Sequence, residues 1–303
     1  MLVQNTNPAA VAPDTNRVLK GLKRDDLFLC VHEQFLTETA QLADIILPAT
    51  MFLEHDDIYQ AGGHMHLQIH RAVIEPPEQT RSNHWVINEL AKRLGAQHPG
   101  FGMTEWELID KTLLDSGWPS ADALLEKKWH DVQPSFADSH FLNGFPTSTG
   151  RFQFSADWSK LGPLGSKLPN YPDHCDNIDS ATAEKPFRLI TSPARNYLNT
   201  SFTETPTSKR KEVRPTVKIH PDAASQLCLE DGDKVRLGNE QGSLVLNISI
   251  FSGLQTNVVV VESVWPNSAF EEGVGINTLI SAEPGPPNGG AVFHDTAIWI
   301  KPA

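Results

Sequence analysis

At 303 residues, 39% hydrophobic and 20% charged, the chain has the composition of an ordinary folded protein, with length enough for two cores. A formal charge of −12 argues against non-specific binding to nucleic acid, while leaving room for a local basic pocket. Cys30, Cys175 and Cys228 are far apart with no C-x-x-C pair, which excludes a cysteine-built zinc site, iron–sulfur cluster or disulfide framework; no apolar run reaches membrane-spanning length.

Leu2-Val3 reads as the end of a strand and Asn5-Thr6-Asn7-Pro8 as the polar turn after it. A domain that opens on the tail of a strand looks like the C-terminal part of something longer. Leu27 to Val31 is a continuous apolar run, as in a strand buried on both faces of a parallel sheet, and ends at His32-Glu33. A short helix from about Thr37 and a second buried strand, Asp44 to Pro48, complete a strand–helix–strand pattern of α/β type. Ligands of open parallel sheets sit at the carboxyl ends of the strands, where Asn7, His32 and Glu33 fall.

Ser82 is placed to cap a helix from about Asn83 to Leu94 that Gly95 stops. Thr104 with Glu107 makes a capping box for the next helix, ended by Gly117, and a third starts at Ser120. From residue 133 to 186 the chain is rich in Pro, Ser, Asp and Asn, with only Arg151 to Phe154 strand-like. The expected organisation is therefore an α/β domain over 1–132, a long connection over 133–186 and an all-β domain over 187–303. In that last part, strands are expected at Phe187 to Thr191, Thr216 to Ile219, Lys234 to Leu237, Ser243 to Ile250, Val258 to Val261 and Thr296 to Ile300. With one small helix opened by His220-Pro221, they indicate a compact β-barrel.

The stretch FRLITSPARNYLNTSF (187–202) carries the densest polar chemistry. Pro193 breaks its strand, and Arg195, Asn196, Asn199, Thr200 and Ser201 follow on a loop aimed by a rigid element. A guanidinium with amides and hydroxyls suits a large phosphate-bearing ligand; it equally suits a loop that caps its own backbone. His64, His66 and His70, with His55 and Asp57 nearby, could ligate a transition metal, although histidines on the wet face of a strand are commoner. Glu54, Asp56 and Asp57 could pair as acid and base or be solvated. There is no nucleophile elbow or phosphate loop, and the prolines of GPPNGG (285–290) remove the donors such a loop needs.

NTNPAAVAPD (5–14), HEQFLTETAQLADIILPATMFLEHDD (32–57) and the Ser82-Asn83-His84 helix start resemble the C-terminal half of the molybdopterin domain of molybdenum/tungsten oxidoreductases. This is the dimethyl sulfoxide reductase family, which includes formate dehydrogenases and nitrate reductases. VKIHPDAASQLCLEDGDKVRLGNEQG (217–242) and GGAVFHDTAIWI (289–300) are similar to its dinucleotide-binding barrel. The resemblance implies α/β followed by all-β: a partial parallel α/β molybdopterin domain plus a C-terminal double-psi-type β-barrel. It implies a bis(molybdopterin guanine dinucleotide) cofactor with Mo or W, and an enzyme of oxygen-atom or hydride/electron transfer. Matching positions make Asn7, His32, Glu33, His55, Asn83, Arg195, Asn199, Thr200, Ser201, Trp265, Asn277 and His294 cofactor contacts, with no catalytic residue and no metal ligand in the chain. An iron–sulfur cluster and the metal-ligating residue would belong to a missing N-terminal region or subunit, and an electron-transfer subunit is a further partner. Cytoplasm is the default compartment, which an export signal before Met1 would change. A non-catalytic cofactor-binding or delivery module is the alternative.

Overall fold

The computed structural model describes residues 1–155, 157–171, 173 and 180–303; Cys175 lies outside them. In chain order the elements begin with β1 (Leu2–Gln4), α1 (Pro8–Val11), α2 (Thr15–Leu22), β2 (Cys30–Glu33) and β3 (Ile45–Pro48). Next come β4 (Asp57–Gln60), β5 (His66–His70), α3 (Asn83–Leu94), α4 (Glu105–Asp115), α5 (Ala121–Lys127), β6 (His130–Asp131) and α6 (Phe136–Ser139). The C-terminal part holds β7 (Phe187–Ser192), α7 (Pro206–Glu212), β8 (Thr216–Ile219), α8 (Pro221–Gln226) and β9 (Lys234–Gly238). It closes with β10 (Ser243–Ile250), β11 (Val258–Glu262), β12 (Pro284–Gly285), β13 (Gly290–Ala291) and β14 (Thr296–Pro302).

The chain packs as two units, one of residues 1–6, 30–36 and 43–153, the other of 7–29, 37–42 and 154–303. In the first, β1, β2 and β3 form a parallel sheet with Val3 opposite Val31 and Val31 opposite Ile46. Strands β4, β5 and β6 form a second sheet, antiparallel throughout. Its inner face, Leu67 and Ile69, packs on Ile109 and Leu113 of α4 and on Ala121 and Leu124 of α5. The helix signals act as expected: Ser82 accepts from Trp85 N, Gly95 takes the left-handed stop at φ 67°, and the Thr104–Glu107 capping box is reciprocal.

Three local expectations are corrected. The strand expected over Leu27 to Val31 is instead Cys30–Glu33, because that stretch has parallel partners on both sides. His32 thus lies inside the strand, its ring nitrogens 3.1 Å from Gln4 Nε2 and 3.0 Å from the Arg81 carbonyl oxygen, which lets an imidazole be fully buried. The helix expected from Thr37 shrinks to a single tight turn, Ala40–Leu42, and Arg151 to Phe154 forms no strand.

In the second unit β10, β8, β11, β7, β14 and β9 close, in that order, into a six-stranded barrel. Two of its pairs, β10 with β8 and β11 with β7, are parallel, and the others are antiparallel. Alternation along each strand drives Leu189, Val217, Ile219, Val235, Leu237, Leu244, Ile248, Val259, Val261 and Ile298 into one core. The fold is thus α/β followed by a closed all-β barrel.

Helices α1 and α2, which were not expected from the sequence, pack with the barrel. Pro8 sits at the first helical turn, where a missing N–H is harmless. Asn7, just before it, donates through Nδ2 to Glu38 (2.7 Å), and its Oδ1 accepts from Thr39 N (3.2 Å) and Thr39 Oγ1 (2.7 Å). Asn267 and Asn277 hold α1 from the other side, donating to the carbonyls of Ala9, Ala10 and Val11. Asn7→Ala removes the first of these links and should cost about 1–3 kcal/mol. Urea unfolding indistinguishable from wild type would show that the Glu38–Thr39 contacts carry no stability.

Candidate functional site

The barrel unit holds a cleft of about 390 Å³ at the carboxyl end of β7. Thr191, Ser192 and Pro193 enter it from the strand, Asn199 from the following loop, Ser263 and Val264 from the end of β11, Asn277 from a tight turn, and Phe293 and His294 from the approach to β14. Val11 of α1 completes the lining.

Backbone hydrogen bonds hold several of these stretches in place. Leu198 and Ser201 exchange backbone hydrogen bonds (3.2 and 2.8 Å), which turns the chain tightly with Asn199 at φ 50°. Ser263, at φ 73°, donates its N–H to Ser192 O (2.8 Å). Asp295, at φ 68°, donates its N–H to Leu189 O (2.9 Å), and its carboxylate pairs with Arg188 Nε, an ion pair that raises the Arg188 pKa. Non-glycine residues in the left-handed region are costly unless their surroundings impose them, and three border this cleft.

Of the barrel-side residues singled out in the sequence, Asn199, Asn277 and His294 come together here. Arg195 and Ser201 are exposed and Thr200 half-buried along the same loop, outside the lining. Asn196 is engaged locally, its N and Nδ2 both 2.7 Å from Glu212 Oε1. Trp265 lies in the core, donating Nε1 to Glu262 O (3.0 Å) and meeting Tyr197 edge to face at 4.9 Å. Asn7 has both polar atoms engaged, as described above.

In the other unit His55 and Asn83 line one pocket of about 280 Å³ with Asp56, Asp57, Ser82, His84 and Glu105. His55 Nδ1 is 2.8 Å from Thr50 Oγ1, and its Nε2 is 3.6 Å from Asp57. Ser82 donates to Glu105, whose carboxylate is 3.9 Å from His84 Nδ1. Glu33 accepts from the N–H of Gln34 (2.7 Å), and His32 is buried in the sheet. His66 and His70 share the outer face of β5 with Tyr59, which stacks on His70, while His64 precedes the strand. Among the described residues no group of three or more His, Cys, Asp or Glu could hold a metal ion.

Burial, with the Asp57 carboxylate adding to it, pushes the Tyr59 hydroxyl up to about 12. The folded chain then holds this proton more tightly than the unfolded one. The resulting stability is complete below the ordinary tyrosine value of about 10 and is lost as pH rises through the folded value. An ultraviolet tyrosinate titration should show a late step that Tyr59→Phe removes; a titration unchanged by that substitution would refute the shift.

Thr191, Ser192 and Ser263 in the cleft, and Glu105 in the pocket, were not singled out in the sequence, and Ser82 and His84 were read only as a helix start. Thr191 and Ser192 were within reach, since they end a strand beside Pro193. Ser263 gave no signal, because its left-handed backbone is imposed by Ser192 and the barrel.

Residues 187–297 match the family model "Molydopterin dinucleotide binding domain", and residues 1–93 match "Molybdopterin oxidoreductase". A Bacillus subtilis (strain 168) protein named "Probable oxidoreductase YoaE" is 30% identical over 99% of the chain and 44% of its own length. The "Trimethylamine-N-oxide reductase" of Haemophilus influenzae is 25% identical over 86% of the chain and 35% of its own length. The chain therefore spans less than half the length of these curated relatives. Among solved structures, acetylene hydratase from Pelobacter acetylenicus superposes on the whole chain with a TM-score of 0.81 at 19% identity, covering 44% of that protein, a likeness of fold.

Proposed function

Since the chain belongs to the molybdopterin oxidoreductase family and carries its dinucleotide-binding domain, we propose that it is the cofactor-holding part of a bis(molybdopterin guanine dinucleotide) oxidoreductase. The observation that carries this reading is the polar set of the barrel cleft. The Asn199 amide and the Ser192 hydroxyl, with the oxygens of Asn277, Thr191 and Ser263, whose own protons are engaged elsewhere, stand between apolar walls of Val11, Pro193, Val264 and Phe293. Neutral donors and acceptors between apolar faces fit the edge and faces of a flat heteroaromatic ring, and so they fit a pterin. When bound, the metal and pterin dithiolenes would supply oxygen-atom or hydride/electron transfer.

The chain's own residues bind and orient. Asn199, held at its turn, would address the ring edge. Arg195, exposed on the same loop, would neutralise phosphate charge bidentately. His55 and Asn83, which share the pocket of the other unit, would serve the polar nucleotide portion. Ile45 and Ile46 of β3 point to opposite faces of a parallel sheet and are each 45% exposed. Parallel sheets are covered on both faces, so a further α/β region or subunit would pack there.

The test is expression in a host that makes molybdopterin, with molybdenum and released pterin measured per protein. Wild type should copurify with both, and Arg195→Ala should carry severalfold less. Unchanged molybdenum in Arg195→Ala would sink that residue's role, and wild-type protein free of pterin would overturn the reading.

A further inference from the structure

Among the described residues, His294 is the one titratable side chain that lines the barrel cleft, the other lining residues being neutral. Its Nδ1 lies 3.4 Å from Thr191 Oγ1. Thr191 has a single hydroxyl proton, and that proton is directed to the Phe293 carbonyl oxygen at 2.7 Å. Toward His294 the hydroxyl oxygen can therefore only accept. The proton on that contact must come from the imidazole.

We infer that His294 is held as the Nδ1–H tautomer and offers a bare Nε2 to the cleft as an acceptor for a ring N–H or O–H of the bound ligand. The neighbouring contacts fix the backbone on either side of the ring. Thr191 Oγ1 holds the 293 carbonyl, Asp295 N is bonded to Leu189 O, and Asp295 is braced by Arg188. Arg188 and Asp295 are the charged groups nearest along these elements, and they pair with each other. The β7 end, the Asn199 turn, Ser263-Val264 and Asn277 add only neutral groups to the lining.

An imidazole that gains its second proton turns from acceptor to donor. Two N–H groups would then face each other, so ligand retention weakens once the ring takes up its second proton. This rests on the cofactor reading for its ligand, a pterin-like ring, but not for its tautomer.

Two measurements test it. Nitrogen-15 spectra of histidine-labelled chain at mildly alkaline pH, with His294 assigned by comparison with His294→Gln, should show a protonated Nδ1 and a bare Nε2. Thr191→Val should abolish that preference. A protonated Nε2 in wild type overturns the inference. In protein from the cofactor-making host, bound pterin should fall severalfold between neutral and acidic pH. In His294→Gln, where an amide can accept without titrating, retention should be flat. Equal retention at both pH values in both proteins overturns the inference and leaves the cofactor reading standing. Wild-type protein empty of pterin at every pH removes both.

Discussion

Replacing Asn277 by leucine should lower the stability of the barrel unit by roughly 2–4 kcal/mol, although the side chain changes little in volume. Asn277 is 1% exposed, and its Nδ2 donates at 3.0 Å to both the Ala10 and the Val11 carbonyl oxygens. These carbonyls end α1, where a helix has no partners of its own to offer. Leucine fills the space and leaves both acceptors without their donor. Asn277→Asp is the sharper variant, since a carboxylate cannot donate and would face two carbonyl oxygens. Its proton is held more tightly in the folded chain, so its folded pKa lies above the unfolded one. The variant should therefore be closest to wild type below the ordinary aspartate value of about 3.9 and fall away as pH rises. Denaturant midpoints at acidic and neutral pH decide this. A leucine variant as stable as wild type would show that α1 does not depend on Asn277.

Leu189→Ala should cost about 2–5 kcal/mol, by lost burial and the cavity left behind. Leu189 is 0% exposed in the middle of β7, hydrogen-bonded in register with Val259 of the parallel β11 and with Thr296 of the antiparallel β14. A closed barrel cannot collapse around a missing side chain as an open sheet can. Leu189→Met, which conserves volume, should lose less than about 1.5 kcal/mol. The pair separates packing from register: if methionine were as damaging as alanine, the loss would come from the strand and not from the cavity. Because β7 runs on from Leu189 to Thr191 and Ser192, the alanine variant should also loosen the cleft, read as faster amide exchange at Asp295, whose N–H is bonded to Leu189 O.

What was legible follows from which forces are local. Helix ends were legible in Ser82, Gly95, Thr104 and Ser120, because a cap is a bond between residues three or four apart. Barrel strands were legible in the alternation from Phe187 to Thr191 and the apolar run from Val258 to Val261. His32 misled because its burial depends on Gln4 and on Arg81, 49 residues later. Helix α1 gave little signal because four residues carry no periodicity, and what fixes it, Asn267 and Asn277, lies more than 250 residues away.

The same division holds at the site. Residue types marked Asn199 and Arg195, and the family resemblance added Trp265, Asn277 and His294. Only the closed barrel separates these, bringing Asn199, Asn277 and His294 to one cleft, leaving Arg195 exposed and burying Trp265 against Tyr197. The sequence by itself determined the helix caps, the barrel strands and the chemistry available, because propensity, capping and alternation act over a few residues. The tertiary structure decided which polar groups remain to meet a ligand, because a donor's availability depends on partners brought to it from elsewhere in the chain.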